Sequence, residues 1–325
     1  MSNNGDISVG VAVYNEENSI LKCLSDLEKQ LRNSNFTIYI CLNGCSDRSL
    51  DKIMEYKRSN PLISIIVLES EKGKILAQNK IVQKIKKDNR EHIPLLFVDA
   101  DIVFEKDCII NLYRELFRID QLKLVGAVTK PYINEKKRVW FYILNVRNFY
   151  PKSEVPCCDV SDYKCYAKKF PQPQIDVKTE QKSRIFVHGR CFMLKSADLY
   201  DVPADSNLAD DTYLTGSIHY KFGCGTVRTI HSSVVHYKAY NDLYIHFKTY
   251  WRIYNDKKYI DANFPHLTYH RSKEPTTLDK KYIKSLSLLV RLQFFMHKTV
   301  IATENFIYKI LPQKPISEIW KYESK

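Results

Sequence analysis

Ile93-Pro94-Leu95-Leu96-Phe97-Val98-Asp99-Ala100-Asp101-Ile102-Val103-Phe104 is an apolar run that presents two carboxylates and then turns apolar again. A continuous apolar run reads as a strand covered on both faces, and two Asp at i and i+2 at its carboxyl end point the same way. Hard oxygen donors so placed suit Mg²⁺ or Mn²⁺, which are usually held by one or two carboxylates while substrate phosphates complete the shell. An Asp-x-Asp tripeptide is common by chance and carries little alone. The strand in front of it is what gives Asp99 and Asp101 a place; the competing reading is a solvated turn after a core strand.

Working outward, the sequence before this run repeats one grammar. Residues 7–13 are β-branched and end at Tyr14-Asn15-Glu16-Glu17-Asn18, after which Ile20, Leu21, Leu24, Leu27 and Leu31 recur at helical spacing. Strand 36–42 leads through Asn43-Gly44-Cys45-Ser46-Asp47 to a helix ending near 59, and strand 63–68 to a helix over 74–86. Four strands alternating with helices predict right-handed βαβ units and a parallel sheet, which binds ligands beyond the carboxyl ends of its strands. Asp99 and Asp101 fall on that edge. Neither Gly-x-Gly-x-x-Gly nor Gly-x-x-x-x-Gly-Lys-Ser/Thr follows the first strand, which argues against a dinucleotide enzyme or a P-loop NTPase.

Four segments, in order and spacing, resemble the family 2 glycosyltransferases of GT-A fold: Val13-Tyr14-Asn15-Glu16-Glu17, Asn43-Gly44-Cys45-Ser46-Asp47, Gly73-x-x-x-Ala77-x-Asn79, and Asp99-Ala100-Asp101. The resemblance covers roughly residues 6 to 255. It implies an α/β fold with a mixed, Rossmann-like sheet flanked by helices, and transfer of a sugar from a nucleotide-diphosphate donor with inversion, using a divalent metal. Carried onto this chain, Ala12, Tyr14 and Glu16 would line the nucleoside pocket and Lys74 would approach base or diphosphate. Asp101 would be the principal metal ligand, with Asp99 on ribose or metal. Two departures stand out: Ala12 replaces the usual Pro, and Leu42-Asn43 replaces an acidic pair. Asn43 can still hydrogen-bond a base edge with a different donor and acceptor set, which leaves uridine favoured and guanosine or thymidine open. For Asn43 and Asp47 a turn and a helix cap would serve equally well. A Lys at a helix start opposes the dipole, which favours an anion near Lys74.

In the second half, 124–130 reads as a fifth strand and 139–149 as an aromatic helical stretch. Periodicity fails over 150–182, a Pro-punctuated, Lys-rich segment that the resemblance would turn toward the acceptor; its Cys157, Cys158 and Cys165 lack zinc-site spacing. Residues 185–194 look like the family's Gly-containing strand beneath the donor sugar, where Gly189 would let backbone approach the ligand. Arg190 would contact a diphosphate or an anionic acceptor, or form a structural ion pair. Asn207-Leu208-Ala209-Asp210-Asp211-Thr212-Tyr213-Leu214 is similar to the family's acidic-Asp-x-x-Leu segment, which makes Asp211 the implied general base with Asp210 beside it. Inverting transfer needs a carboxylate that takes the acceptor proton as oxygen attacks; a plain helix N-cap by either acid is the alternative. His236, at the end of Val234-Val235-His236-Tyr237, resembles a late metal ligand. Arg252 follows Trp251 in reverse of the family's Arg-Trp order, as a phosphate contact.

The 325 residues carry 50 Lys and Arg against 37 Asp and Glu, a net charge of +13 that points to an anionic partner without choosing among nucleotide, phospholipid and nucleic acid. Nine Cys at irregular spacing and a polar start at Met1-Ser2-Asn3-Asn4-Gly5-Asp6 suggest reduced thiols and a cytoplasmic location, and no run of uncharged apolar residues is long enough to span a membrane. The expected organisation is a GT-A domain over 1–256, with a nucleotide-binding half to about 130 and an acceptor half beyond it, then a helical extension over 257–325. Within the extension, 257–281 reads as a polar connection and 282–311 as a basic amphipathic helix pair. That pair could touch a membrane, its own domain or a second subunit. The acceptor class, whether glycan, lipid-linked, peptide or small molecule, stays open. Rival readings are a sugar-1-phosphate nucleotidyltransferase, which would want a Gly-rich, Arg-containing first loop, and a phospholipid- or nucleic-acid-binding basic module; no nucleic-acid motif is present.

Overall fold

The computed structural model describes residues 4–132, 139–150, 154–156, 186–205, 207–223, 225–238, 242–267, 276–278 and 280–312. Its first half follows the expected alternation: β1 (Asn4–Val13), α1 (Ile20–Leu31), β2 (Ser34–Asn43), α2 (Ser49–Ser59), β3 (Ser64–Ser70), α3 (Lys74–Lys87) and β4 (Leu95–Asp99). After β5 (Val103–Phe104), α4 (Cys108–Arg118), β6 (Leu124–Tyr132), α5 (Val139–Leu144), α6 (Val146–Phe149) and β7 (Glu154–Pro156) come β8 (Cys191–Leu194), α7 (Asp210–Phe222), β9 (Val227–Lys238) and α8 (Leu243–Asn263). β10 (Thr276–Leu278), α9 (Lys280–Ser285) and α10 (Leu288–Ile310) complete the described elements.

Eight strands form one sheet in the order β3-β2-β1-β4-β8-β6-β9-β5. The first four are parallel, β8 runs antiparallel to both β4 and β6, β9 is parallel to β6 and β5 antiparallel to β9. The sheet is thus mixed and has helices on both faces, as the fold class expected from the sequence requires.

Strand alternation decides which face each residue serves. Ile7, Val9, Val11 and Val13 of β1 and Leu96 and Val98 of β4 pack in one core with α1, α2 and α4. Leu95 and Phe97 of β4 enter the second core, with Ile75, Ile81 and Ile85 of α3 and Leu214 and Ile218 of α7. Asp99 shares the parity of Leu95 and Phe97, so it is turned toward the α3 side. The Phe97 ring packs tilted against Phe192 and Tyr200, with centroids 5.5 Å and 5.3 Å away, and Gly10 makes room for it: a Cβ there would stand 2.5 Å from Phe97 Cε1.

Two sequence expectations are corrected. Residues 186–190 form no strand; they are an irregular lead-in and turn before β8, because Gly189 and Arg190 turn the chain into a strand of only Cys191–Leu194. α8 runs to Asn263, so the polar connection expected from 257 begins inside a helix whose buried Ile260 holds its last turns to the core. Most of 150–182, with Cys157, Cys158 and Cys165, lies outside the described residues.

Candidate active site

The carboxyl ends of β1, β2 and β4 meet at one edge of the sheet, and their loops are stitched together. Asn15 sits at φ 54° and its Oδ1 accepts from Ser46 N at 2.8 Å; Glu17 N donates to Asp47 Oδ2 at 2.9 Å and Glu16 N to Ser49 Oγ at 2.8 Å. Asp47 Oδ1 also accepts from Ser49 N at 3.0 Å, at the start of α2. The buried Asn43 accepts a hydrogen bond from Gly73 N, which ties the end of β2 to the start of α3. Ala12 pairs with Asp99 across β1 and β4. Tyr14 lies under Lys72, whose Nζ is 4.4 Å from the ring centroid and donates to the phenol oxygen at 2.7 Å.

Lys74, the first residue of α3, is the hub. Its Nζ stands 2.8 Å from Asp99 Oδ1, 3.2 Å from Asp210 Oδ2 and 2.9 Å from Gly189 O. Three sequence-distant segments therefore converge on one ammonium group. Burial alone would lower the Lys74 pKa, but the charges of Asp210 and Asp99 outweigh it and hold the ammonium more firmly protonated than a free lysine. Because β8 is reversed, the turn at its amino end lies on the same edge as the carboxyl ends of the parallel strands, and Asp99 N donates to Arg190 O at 2.8 Å across that boundary.

Asp210 and Asp211 open α7, yet the helix has no side-chain N-cap. Asp211 Oδ2 accepts from Gly189 N at 2.9 Å, with His188 Nδ1 at 3.8 Å, and its Oδ1 accepts from Thr212 N at 2.8 Å. Asp210 Oδ2 accepts from Gln78 Nε2 at 2.8 Å, and Tyr200 OH donates to Gln78 Oε1 at 3.0 Å. A side chain at Gly189 would crowd both acids, its Cβ lying 3.0 Å from Asp210 Oδ1 and 3.3 Å from Asp211 Oδ2. Desolvation and the adjoining Asp210 charge raise the Asp211 pKa, while Gly189 N, Lys74 and Arg252 pull it back. A carboxylate so raised is a stronger base than a free one.

The acids nearer β1 repel one another. Desolvation and the charge of Asp99 raise Asp101, with Arg190 and Lys74 opposing. Glu16, bonded to Ser19, is pushed up to about 7 from 4.5 by desolvation and by Asp101, Asp99 and Asp47. The folded state thus keeps a proton that the unfolded chain releases above pH 4.5. With divalent metal chelated, the stability of the protein falls as pH rises from about 4.5 to 7, by up to about 3 kcal/mol from this group. Urea midpoints across that range measure the slope; Glu16→Gln flattens it, and equal slopes for variant and wild type would refute this origin.

Among the described residues no three His, Cys, Asp or Glu side chains are grouped to enclose a metal by themselves. Asp99 and Asp101 nevertheless suit Mg²⁺ or Mn²⁺: hard oxygens, two carboxylates that repel one another, and a diphosphate that would supply the remaining ligands. His236 is engaged elsewhere: its Nε2 lies 2.8 Å from Glu105 Oε1, and Glu105 also meets Lys130 at 3.6 Å. Arg190 stacks on Tyr237 with its guanidinium carbon 3.9 Å from the ring centroid. Arg252 lies on α8, near enough for its charge to act on Asp211.

Gln78 and Tyr200 escaped the sequence reading. Gln78 lies one helical turn beyond Lys74, on the same face of α3, and that i+4 spacing was a usable clue; nothing local marks Tyr200.

The model of the family described as glycosyl transferase family 2 matches residues 8–198, a stretch that holds Lys74, Asp99, Asp101 and Gly189 and stops short of the paired acids of α7. Among solved structures, the mannosyltransferase PcManGT from Pyrobaculum calidifontis, in complex with GDP-Man and Mn²⁺, is 15% identical at a TM-score of 0.52, over 92% of this chain and 86% of that one. S. aureus TarS 1-349 is 13% identical at a TM-score of 0.49, over 92% of this chain and 80% of that one. No curated protein sequence matches.

Proposed function

Because the chain belongs to glycosyl transferase family 2, we propose that it transfers a sugar from a nucleotide-diphosphate donor to an acceptor hydroxyl, with inversion at the anomeric carbon. The observation that carries this reading is the convergence of Asp99, Asp210, Gly189 and Lys74, with Asp211 held by Gly189 N. The nucleotide-binding half extends to about 130 and the acceptor half over 131–256, followed by the 257–325 extension. A uridine donor is favoured, the acceptor is a glycan, lipid-linked, peptide or small molecule, and the setting is cytoplasmic.

In this mechanism Ala12, Tyr14, Glu16 and Asn43 line the nucleoside side and Lys74 places positive charge beside the diphosphate. Asp99 and Asp101 would hold Mg²⁺ or Mn²⁺, with His236 as a further candidate ligand; when bound, the metal supplies stabilisation of the negative charge that grows on the leaving diphosphate. The turn at Gly189 gives the donor sugar close access to backbone. Asp211, with a raised affinity for protons, takes the acceptor hydroxyl proton as that oxygen bonds the anomeric carbon opposite the departing diphosphate. Arg252 and Lys74 limit how far the Asp211 pKa rises. Gln78 and Tyr200 fix Asp210 from behind.

Thermal melts with UDP, GDP, dTDP and CDP, each with and without Mn²⁺, test the reading. UDP with Mn²⁺ raises the melting temperature, as a ligand at 100 Kd adds about 2.7 kcal/mol. No shift with any of the four would overturn it.

A further inference from the structure

Helix α10 has two opposed faces. On one, Phe294, His297, Glu304 and Tyr308 are buried; Glu304 Oε1 lies 2.8 Å from His246 Nδ1 and Tyr308 OH donates to Phe247 O at 2.8 Å, so α8 carries the helix as a fixed mount. At about 100° per residue, Leu288, Leu292, Phe295, Phe306 and Ile310 fall in one stripe about 180° from that buried face. These five side chains are 53% to 74% exposed and share one face as two apolar clusters, 288–295 and 306–310, rather than as residues scattered around the helix.

Two polar residues interrupt the stripe, and neither leaves its hydroxyl unmet. Thr299 Oγ1 donates to Phe295 O at 3.1 Å and Thr303 Oγ1 to Thr299 O at 3.0 Å. Both are satisfied within the helix, as a group entering a medium without water must be. Along one border of the stripe run the exposed Arg291, Lys298 and Lys309. The only acid between 280 and 311 is Glu304, and it is turned inward to His246.

We propose that this face is a docking surface for an anionic lipid bilayer: α10 lies in the plane of the interface, its stripe sunk at the acyl-chain boundary, with Arg291, Lys298 and Lys309 reaching the lipid phosphates. Charge selects this occupant. A second copy presenting the same face in an antiparallel pair would bring cations against cations, with no exposed acid on α10 to answer them. The helix lies on the bilayer and does not cross it, since no described helix is long and apolar enough to span. The surface is independent of the donor reading and extends it only by placing the enzyme at a membrane.

Co-sedimentation of the full chain with vesicles tests this. The chain partitions onto phosphatidylcholine vesicles containing phosphatidylserine and releases at high salt. Neutralising Arg291, Lys298 and Lys309 together to Gln weakens partition roughly 100-fold, from about fivefold per basic residue. Leu292→Glu with Phe295→Glu abolishes it. Both variants alter exposed side chains and keep the wild-type melting temperature, which separates lost docking from lost folding. Failure of the wild type to bind anionic vesicles, or undiminished binding by the stripe variant, overturns the proposal. So does a dimer of the wild type that the stripe variant splits, which would assign the face to a second copy.

Discussion

Asp211→Asn lowers the rate of sugar transfer by roughly 10²–10⁴-fold, the usual contribution of a positioned general base, and leaves donor affinity unchanged. The substitution keeps shape and keeps an oxygen that can accept from Gly189 N, the bond made at 2.9 Å in the wild type. What it removes is the negative charge and the proton affinity. The raised pKa of Asp211 gives a second readout: the wild-type rate climbs with pH as this carboxyl ionises, and the variant's residual rate loses that limb. Single-turnover transfer together with calorimetric nucleotide titration separates the two quantities. A variant that transfers sugar at the wild-type rate would remove Asp211 from the chemistry.

Asp101→Asn produces two changes of opposite sign. Metal-dependent nucleotide affinity falls roughly 100-fold or more, beyond the 10–100-fold typical of losing an outer-shell partner. The metal-free protein becomes more stable at neutral pH, because Asp101 is crowded by desolvation and by the Asp99 charge and the amide relieves that repulsion. Calorimetry with UDP and Mn²⁺ reads the first change and a melt in chelator reads the second. A residue that merely supported the fold would lose stability in both conditions, and that result would refute the role given to Asp101.

The first four strands were legible because buried parallel strands read as apolar runs, and the first three were each followed by a helix of clear period. The edge on which Asp99 and Asp101 sit followed from that topology alone. Strand direction was not legible: nothing in Cys191-Phe192-Met193-Leu194 distinguishes a strand that runs with β4 from one that runs against it. Lys74 was legible as a cation near an anion, but its partners Asp99 and Asp210 come from segments 25 and 136 residues away in the numbering, as the contacts at 2.8 and 3.2 Å show. Gln78 and Tyr200 were illegible in role because a buried Gln in a helix looks like any other polar residue until the acid it bonds is placed. Asp47 could be read either as a turn and cap residue or as a donor contact, and its bonds to Glu17 N and Ser49 N supply the local one.

The reversed strand β8 also governs the order in which the molecule can assemble. β1 to β4 leave a synthesising ribosome well before Cys191–Leu194, and until then β4 is an edge strand with open backbone groups, prone to pair with another chain. Contacts of such long sequence separation form late. Because Gly189 and Arg190 arrive with β8, a nascent chain has Asp99 and Asp101 but not the turn beside them, so the proposed donor site is complete only after the edge is capped. Pulse-labelled hydrogen exchange during refolding should find the amides shared by β4 and β8 protected after those shared by β1 and β2; simultaneous protection would show that the sheet closes in one step.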